Sequence, residues 1–157
     1  TLLPQLLGPQ NDMATIRLVA AGNNGPRTMS ITTPGISRKV ITVGCSDDDR
    51  EVLVGGNRMV DYSGRGPTAA CICKPDLVAP GCSVVSCSSR ADKYTIKSGT
   101  SMSTPIVSGA VALLLERFPA MSNKDVKLRL RESSVDIGLP RNQQGWGLLD
   151  VGKMLER

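Results

Sequence analysis

The stretch Lys97–Arg117, KSGTSMSTPIVSGAVALLLER, decides how the rest of this chain is interpreted. From Thr104 onward it is apolar on nearly every helical face, which is typical of a helix buried on all sides. Pro105 is compatible with such a helix, because it falls near the first turn, where amide groups lack intrahelical partners anyway. The sequence therefore predicts a helix over Thr104–Arg117 that is enclosed by other elements.

Short apolar runs bounded by glycine and proline predict the strands around this helix. The predicted strands are Ile16–Ala21, Val40–Cys45, Leu77–Ala79, Cys82–Cys87 and Tyr94–Lys97. Strands that alternate with helices predict an α/β layer fold, here a mostly parallel sheet with helices on both faces. Few helices accompany these strands, although both faces of a parallel sheet need cover, so we expect the chain to be part of a larger sheet or a domain that packs on something else.

A second helix is predicted from Ser122, because Asp125 stands three residues later, as in a capping box. Val126 and Leu130 would lie on its inner face and Lys127 on its outer face. The last residues, from Gly145, predict a turn, a short extended piece and a terminal helix.

Length and composition indicate one globular domain. The chain has 157 residues, of which 40% are hydrophobic and 3% aromatic, enough for a core built from aliphatic residues. Its net charge of +5 raises the question of a nucleic-acid partner. The basic residues are spread out and are not interleaved with aromatic ones, so an ordinary solvated surface is favoured. No run is long and apolar enough to span a membrane. We therefore expect neither a nucleic acid nor a membrane as a partner.

The five cysteines and the absence of histidine bear on metal binding. Cys71-Ile-Cys73 is not a zinc-knuckle spacing, and no histidine is present to complete a mixed site, so no metal ligands are predicted. Buried cysteines acting as small hydrophobic residues are favoured, while disulfides remain open. The acidic run Asp47–Asp49 is interpreted as a polar turn rather than a calcium site.

Two polar residues next to glycines are candidates for chemistry. Ser101 falls at the amino end of the predicted apolar helix, where free amides and the helix dipole favour developing negative charge. The alternative is that Thr100 or Ser101 is only a helix N-cap. Asn23 follows a predicted strand, where its amide could donate to an oxyanion or could simply occupy a turn. Local chemistry leaves both alternatives open.

Six stretches in order carry a resemblance to a known family. They are VAAGNNG (19–25), VITVGC (40–45), DYSGRGP (61–67), KPDLVAPG (74–81), GTSMSTPIVSGAVALL (99–114) and GWGLLD (145–150). The serine stretch and the asparagine stretch resemble the corresponding motifs of the subtilisin-like serine proteases, the subtilases, and the other four are similar to further blocks of that family. The resemblance implies a subtilisin-like three-layer fold, of which this chain is an incomplete part, and hydrolysis of peptide bonds through an acyl-enzyme.

The resemblance also implies roles for individual residues. Ser101 would be the nucleophile, and Asn23 together with the Ser101 backbone N–H would hold the oxyanion. One wall of the primary specificity pocket would be formed by Ala20, Ala21 and Gly22, and the other wall and the base would lie near Pro34 and Gly35. Ile106 departs from the family pattern, which has histidine there, but that histidine is not the triad base.

A larger departure is that the family's catalytic Asp and His segments precede the asparagine motif, and this chain begins just before it. The resemblance therefore implies that residues 1–157 are the carboxyl-terminal half of a catalytic domain. Residues 1–15 would be a helix or loop remnant, and residues 16–157 would form the core. Without the triad Asp and His, the chain is predicted to be inactive by itself, and a pseudoprotease with a binding or regulatory role is the alternative.

Partners and location follow from the same resemblance. We expect a polypeptide substrate, a secreted protein and no required cofactor. Subtilases often bind structural calcium, but no residue here is assigned to it. Because half a sheet exposes an edge and an apolar face, we also expect the chain to bind its amino-terminal half, to form a homodimer or to swap segments.

Overall fold

The computed structural model describes residues 15–47, 59–89 and 93–156. Within these ranges the strands are β1 (Leu18–Ala20), β2 (Ile41–Ser46), β3 (Leu77–Pro80), β4 (Val84–Cys87) and β5 (Tyr94–Lys97). The helices are α1 (Thr100–Arg117), α2 (Asn123–Ser133), α3 (Arg141–Gln144) and α4 (Val151–Leu155). All five predicted strands are present, although β1 begins two residues later than predicted and β2 is shifted by one residue.

The central sheet is parallel, in the order β1-β2-β3. Leu18 pairs with Ile41, and Val43 pairs with Leu77, so β2 lies in the middle. All six residues of β2 are buried, as expected for a central parallel strand covered on both faces. The prediction of an α/β fold with a parallel sheet is confirmed.

Helix α1 packs across this sheet and forms the core with it. Its buried side chains Val107, Val111 and Leu114 join Val43 and others in one cluster. Helices α2 and α4 close the same cluster; the side chains that they contribute are Val126, Leu130 and Met154. Each is fully or almost fully removed from water, which stabilises the fold by about 1.5–3 kcal/mol per large aliphatic side chain.

The prediction that this helix is enclosed on every side is wrong. Its outer face is exposed along its length, at positions that include Pro105, Gly109, Ala112 and Leu113. Leu113 retains 48% of its accessible surface. The described elements cover only one side of α1, so its apolar outer face is in contact with water.

Helix α2 begins as predicted. The Ser122 side chain accepts from the Asp125 backbone N–H at 3.2 Å, and the Asp125 carboxylate accepts from the Ser122 backbone N–H at 2.9 Å, which completes a capping box. Val126 and Leu130 are buried as predicted. Lys127 is not simply solvated, because its Nζ lies 3.6 Å from Asp76 Oδ1 and so ties the helix to β3.

Strands β4 and β5 form a separate antiparallel hairpin that runs directly into α1. Val85 pairs with Ile96, and both side chains are largely exposed. After β5, only Ser98 and Gly99 precede the first residue of α1. The hairpin therefore sets the position from which the Ser101 segment begins.

The prediction of buried cysteines holds for Cys45 alone. Cys71, Cys73 and Cys87 are exposed, Cys82 is half-buried, and all five thiols are free. The remnant predicted over residues 1–15, apart from Thr15, lies outside the described residues, and so do Asp48 and Asp49 of the predicted acidic turn. Among the helices of the described ranges, none has the length and hydropathy needed to cross a membrane.

Candidate active site

The loop after β1 is held by backbone hydrogen bonds on both sides. The Ala21 N–H donates to Val43 of the neighbouring strand at 2.9 Å, and the Gly22 carbonyl accepts from the Gly64 N–H at 2.8 Å. Gly22 has φ +92°, a conformation that favours glycine. These contacts fix the path of the chain at the carboxyl end of β1, where Asn23 follows.

The Asn23 side chain lies against the start of α1. Its Oδ1 accepts from the Thr100 backbone N–H at 3.1 Å and from Thr100 Oγ1 at 3.0 Å. Because a backbone N–H can only donate, the carbonyl side of the carboxamide must face Thr100, and Nδ2 remains as a donor. A side chain at Gly99 would place its Cβ 3.2 Å from this Nδ2, so Gly99 leaves room for the amide group.

Ser101 is the second residue of α1 and its side chain is exposed. The N-cap residue is Gly99, without a side-chain cap, so the alternative that Thr100 or Ser101 serves as the N-cap is wrong. With the described residues, neither the Ser101 hydroxyl nor its backbone N–H forms a hydrogen bond. A free hydroxyl and a free amide at the positive end of an 18-residue helix are suited to a reaction that develops negative charge.

The predicted pocket residues lie beside one another. Ala20 and Ser101 line one shallow depression, together with Thr104 and Pro105. The turn at Pro34–Gly35 stands against the same strand, since a Cβ at Gly35 would lie 3.2 Å from the Ala20 carbonyl oxygen. The Gly35 carbonyl accepts from Thr42 Oγ1 at 2.6 Å, which fixes this turn to β2.

Thr32 is a residue of this region that sequence reasoning missed. Its N–H donates to the Ala21 carbonyl at 3.0 Å, and its Cγ2 lies 2.7 Å from where a Gly22 Cβ would stand. The Thr32 side chain therefore fills the space beside Gly22. In the sequence, only its position two residues before Pro34, in the same loop, indicated that Thr32 could lie near the predicted pocket.

A buried thiol lies beneath the turn that leads into α1. Cys45 Sγ is 3.5 Å from the Tyr62 hydroxyl, and it lies 2.7 Å from where a Gly81 Cβ would stand. Burial raises the pKa of the Cys45 thiol above its ordinary value, and burial also raises the pKa of Tyr62. Cys45 is therefore an inert core residue and not an alternative nucleophile.

Two carboxylates of these motifs, Asp76 and Asp61, have other partners than Ser101. Asp76 is buried immediately before β3, where its Oδ2 accepts from the Thr42 N–H at 2.7 Å and from Lys74 Nζ. Asp61 is exposed and lies 3.5 Å from Arg65. Within the described ranges, no group of three or more His, Cys, Asp or Glu side chains could hold a metal ion.

Comparison with known proteins matches residues 5–147 to the model of the subtilase family. The serine protease AprX of Bacillus subtilis is 40% identical over 129 residues, which cover 74% of this chain and 29% of that protein. Halolysin of Haloferax mediterranei is 35% identical over 134 residues, which cover 85% of this chain and 23% of that protein. The chain thus spans less than a third of the length of either relative.

Solved structures agree with the sequence matches. The psychrophilic protease S41 superimposes with a TM-score of 0.72 at 32% identity, and the match covers 85% of this chain and 47% of that one. The Clostridium perfringens CspB protease superimposes with a TM-score of 0.67 at 29% identity, covering 82% of this chain and 28% of that one.

Proposed function

Since the chain belongs to the subtilase family of serine proteases, we propose that it carries the nucleophile and oxyanion donors of a serine endopeptidase. The observation that carries this proposal is the pair of hydrogen bonds from Thr100 to Asn23 Oδ1. They hold the Asn23 amide beside the helix start that presents Ser101, although the two residues are far apart in sequence.

The proposed reaction assigns each group one task. Ser101 Oγ attacks the carbonyl carbon of the scissile peptide bond while a base takes its proton. The oxyanion that forms accepts hydrogen bonds from Asn23 Nδ2 and from the Ser101 backbone N–H, both of which are unoccupied donors among the described residues. Collapse of this intermediate releases the amine product with a proton returned by the base, and water then hydrolyses the Ser101 ester.

The base is not a histidine of this chain, which has none. In subtilisin, loss of the triad histidine costs about 2 × 10⁶-fold in turnover, and the oxyanion hole and binding retain only ~10³–10⁴-fold over water. We therefore propose that these 157 residues have no measurable peptidase activity unless a further polypeptide supplies the base.

Substrate would bind along the loop that follows β1. Ala20, Ala21 and Gly22 would form one wall of the primary pocket, and Pro34 and Gly35 the other. Because Thr32 fills the space beside Gly22, it would limit the depth available to a substrate side chain. Small or medium side chains are therefore the proposed preference at this position.

The association and location of the chain are also proposals. The exposed outer face of α1, with Leu113 at 48% exposure, supports binding to an amino-terminal half of the domain, a homodimer or a segment swap. A relative from Natrialba magadii, 32% identical, is named an extracellular serine protease, which supports secretion. No cofactor is required by the proposed chemistry, and structural calcium is assigned to no residue.

A fluorophosphonate probe tests the proposed function, because it labels only activated serine nucleophiles. We expect labelling of Ser101 when the chain is joined to, or mixed with, a subtilase amino-terminal half carrying the Asp and His segments, and no labelling of the chain alone. Ser101→Ala is the matched control and should remain unlabelled. Stoichiometric labelling of the chain alone would disprove its inactivity, whereas no labelling in the complete domain would favour a pseudoprotease.

A further inference from the structure

A basic cleft lies at the end of the sheet opposite to Ser101. Five basic residues line it, namely Arg17, Arg38, Lys39, Lys124 and Lys127. The first three flank the amino ends of β1 and β2, and the last two belong to α2. Asn23 and Ser101, in contrast, lie at the carboxyl ends of the strands. We call these five residues the basic cleft.

The walls of the cleft are held together by direct contacts. Lys127 Nζ donates to the Arg38 carbonyl at 3.4 Å, and Asn123 Nδ2 donates to the Thr15 carbonyl at 3.2 Å. These bonds join α2 to the chain segments before β1 and β2. The cleft is open to solvent and has a volume of about 350 Å³, the size range of a site for a small molecule.

The charge of this region is unbalanced. No Asp or Glu is among the described residues that line the cleft. The carboxylate behind it, Asp76, already faces two ammonium groups, Lys74 Nζ and Lys127 Nζ. Asp125, although in the first turn of α2, is occupied by the Ser122 N–H and hydroxyl. Lys74 and Lys127 therefore share one buried carboxylate, and three of the cleft cations, Arg17, Arg38 and Lys39, form no ion pair with a carboxylate of the described residues.

We propose that the basic cleft binds a small, soluble, multivalent oxyanion that carries phosphate or sulfate groups. Convergent Arg and Lys side chains are the groups that recognise such oxygens through charge-assisted hydrogen bonds. A nucleic acid fits less well, because no aromatic side chain among the described residues lines the cleft for stacking. The site is separate from the proposed catalytic residues, so the anion does not compete with substrate.

Titration calorimetry of the full chain with sodium tripolyphosphate in low salt tests this proposal. The triple substitution Arg38→Gln/Lys39→Gln/Lys124→Gln removes three cleft charges. The matched control, Arg27→Gln/Lys93→Gln/Lys97→Gln, removes the same charge from exposed positions elsewhere. We expect saturable binding, a Kd raised ~10-fold or more by the cleft substitutions, and little change in the control.

Lysine acetylation of the unaltered chain gives a second readout that does not depend on the variants folding. Tripolyphosphate should protect Lys39 and Lys124, and it should not protect Lys93 or Lys97. No saturable binding, or equal weakening in both variants, would overturn the proposal in favour of diffuse attraction. Tighter binding of a DNA oligonucleotide or of phosphatidylglycerol vesicles through the same residues would also overturn it, in favour of a macromolecular partner.

Discussion

Gly99 joins the hairpin to the helix that presents Ser101, and its backbone conformation admits almost no other residue. Its φ is +149° with ψ 162°, a region that is populated essentially by glycine alone. Its N–H donates to the Gly81 carbonyl at 2.8 Å, and its missing side chain leaves room for the Asn23 amide. Glycine is therefore required here for backbone geometry and for the shape of the site.

Gly99→Ala should lower the free energy of unfolding by about 1–3 kcal/mol, because alanine is strained in this conformation. Urea denaturation followed by circular dichroism measures the change. Gly109→Ala is the control within the same element, since no atom lies within 4 Å of the added methyl group. Because Gly109 is in the interior of α1, its substitution should stabilise the chain by up to about 1 kcal/mol. Equal effects of the two substitutions on the free energy of unfolding would contradict the requirement for glycine at Gly99.

The five thiols differ in exposure and should differ in reactivity. Cys71, Cys73 and Cys87 are exposed, whereas Cys45 is fully buried with a raised pKa. Since the thiolate is the reactive form, Ellman's reagent should modify the three exposed thiols rapidly in the folded chain and Cys45 only after unfolding in urea. Mass spectrometry of the modified peptides identifies each site. Rapid modification of Cys45 in the folded chain would be inconsistent with its position in the core.

Among the single elements, helices α1 and α2 differ in how well their first residues could be predicted from the sequence. The capping box of α2 was predictable because its two side chains bond to backbone groups only three residues away. The start of α1 was not, since three of its first four residues, Thr100, Ser101 and Ser103, are polar residues that favour caps and turns, and the helix begins four residues earlier than predicted. Tertiary contacts override local preference there: Thr100 bonds to Asn23, and Ser103 is fully buried.

The candidate site could be predicted from the sequence in part. The motifs around Asn23 and Ser101 have fixed local spacing, so the resemblance identified both residues. Thr32 and the basic cleft were missed, because each depends on contacts between segments that are distant in sequence. The exposed face of α1 was missed for the same reason: an apolar helix surface does not reveal how much of it is covered.

The Asp125 carboxylate, which caps α2, contributes to the stability of the folded chain by an amount that depends on pH. Hydrogen bonds from the Ser122 side chain and backbone lower the pKa of Asp125 below its ordinary value. A lowered pKa in the folded state means that this contribution is fully present above the unfolded pKa and is lost as the pH falls through the folded pKa. The difference in unfolding free energy between the unaltered chain and Asp125→Asn should therefore be largest near pH 7 and should shrink below about pH 4.

Thermal or urea unfolding over a pH series measures this difference. Asp150→Asn, which removes the carboxylate that caps α4 through the Lys153 N–H at 2.9 Å, is a comparison at another helix start. Replacing Ser122 by alanine should cost about 1 kcal/mol at neutral pH. If the difference in unfolding free energy between the unaltered chain and Asp125→Asn grew on acidification, the prediction would be wrong.

For the molecule as a whole, one buried ionic network joins the sheet to α2. Lys74 is 1% exposed, its Nζ donates to the Val40 carbonyl at 3.0 Å and to Asp76, and Asp76 also bonds to Thr42 and Lys127. Burial lowers the pKa of Lys74 from its ordinary value, and the Asp76 charge opposes this shift. The network therefore depends on Asp76 to compensate a buried ammonium group.

Asp76→Asn should be among the most damaging single substitutions in the chain. It leaves Lys74 buried without its counter-charge, which typically costs about 3–5 kcal/mol of stability. Urea denaturation at neutral pH measures the loss. Lys127→Gln, which removes the half-exposed cation, should cost at most about 1 kcal/mol. If both substitutions had the same small effect, the buried ammonium group would not need its carboxylate.

The bond between Asn23 and Thr100 spans 77 residues of chain. During synthesis, Asn23 leaves the ribosome before Thr100 does, so this bond cannot form until the serine segment has also emerged. The proposed pair of oxyanion donors therefore cannot assemble on a nascent chain that ends before the serine segment.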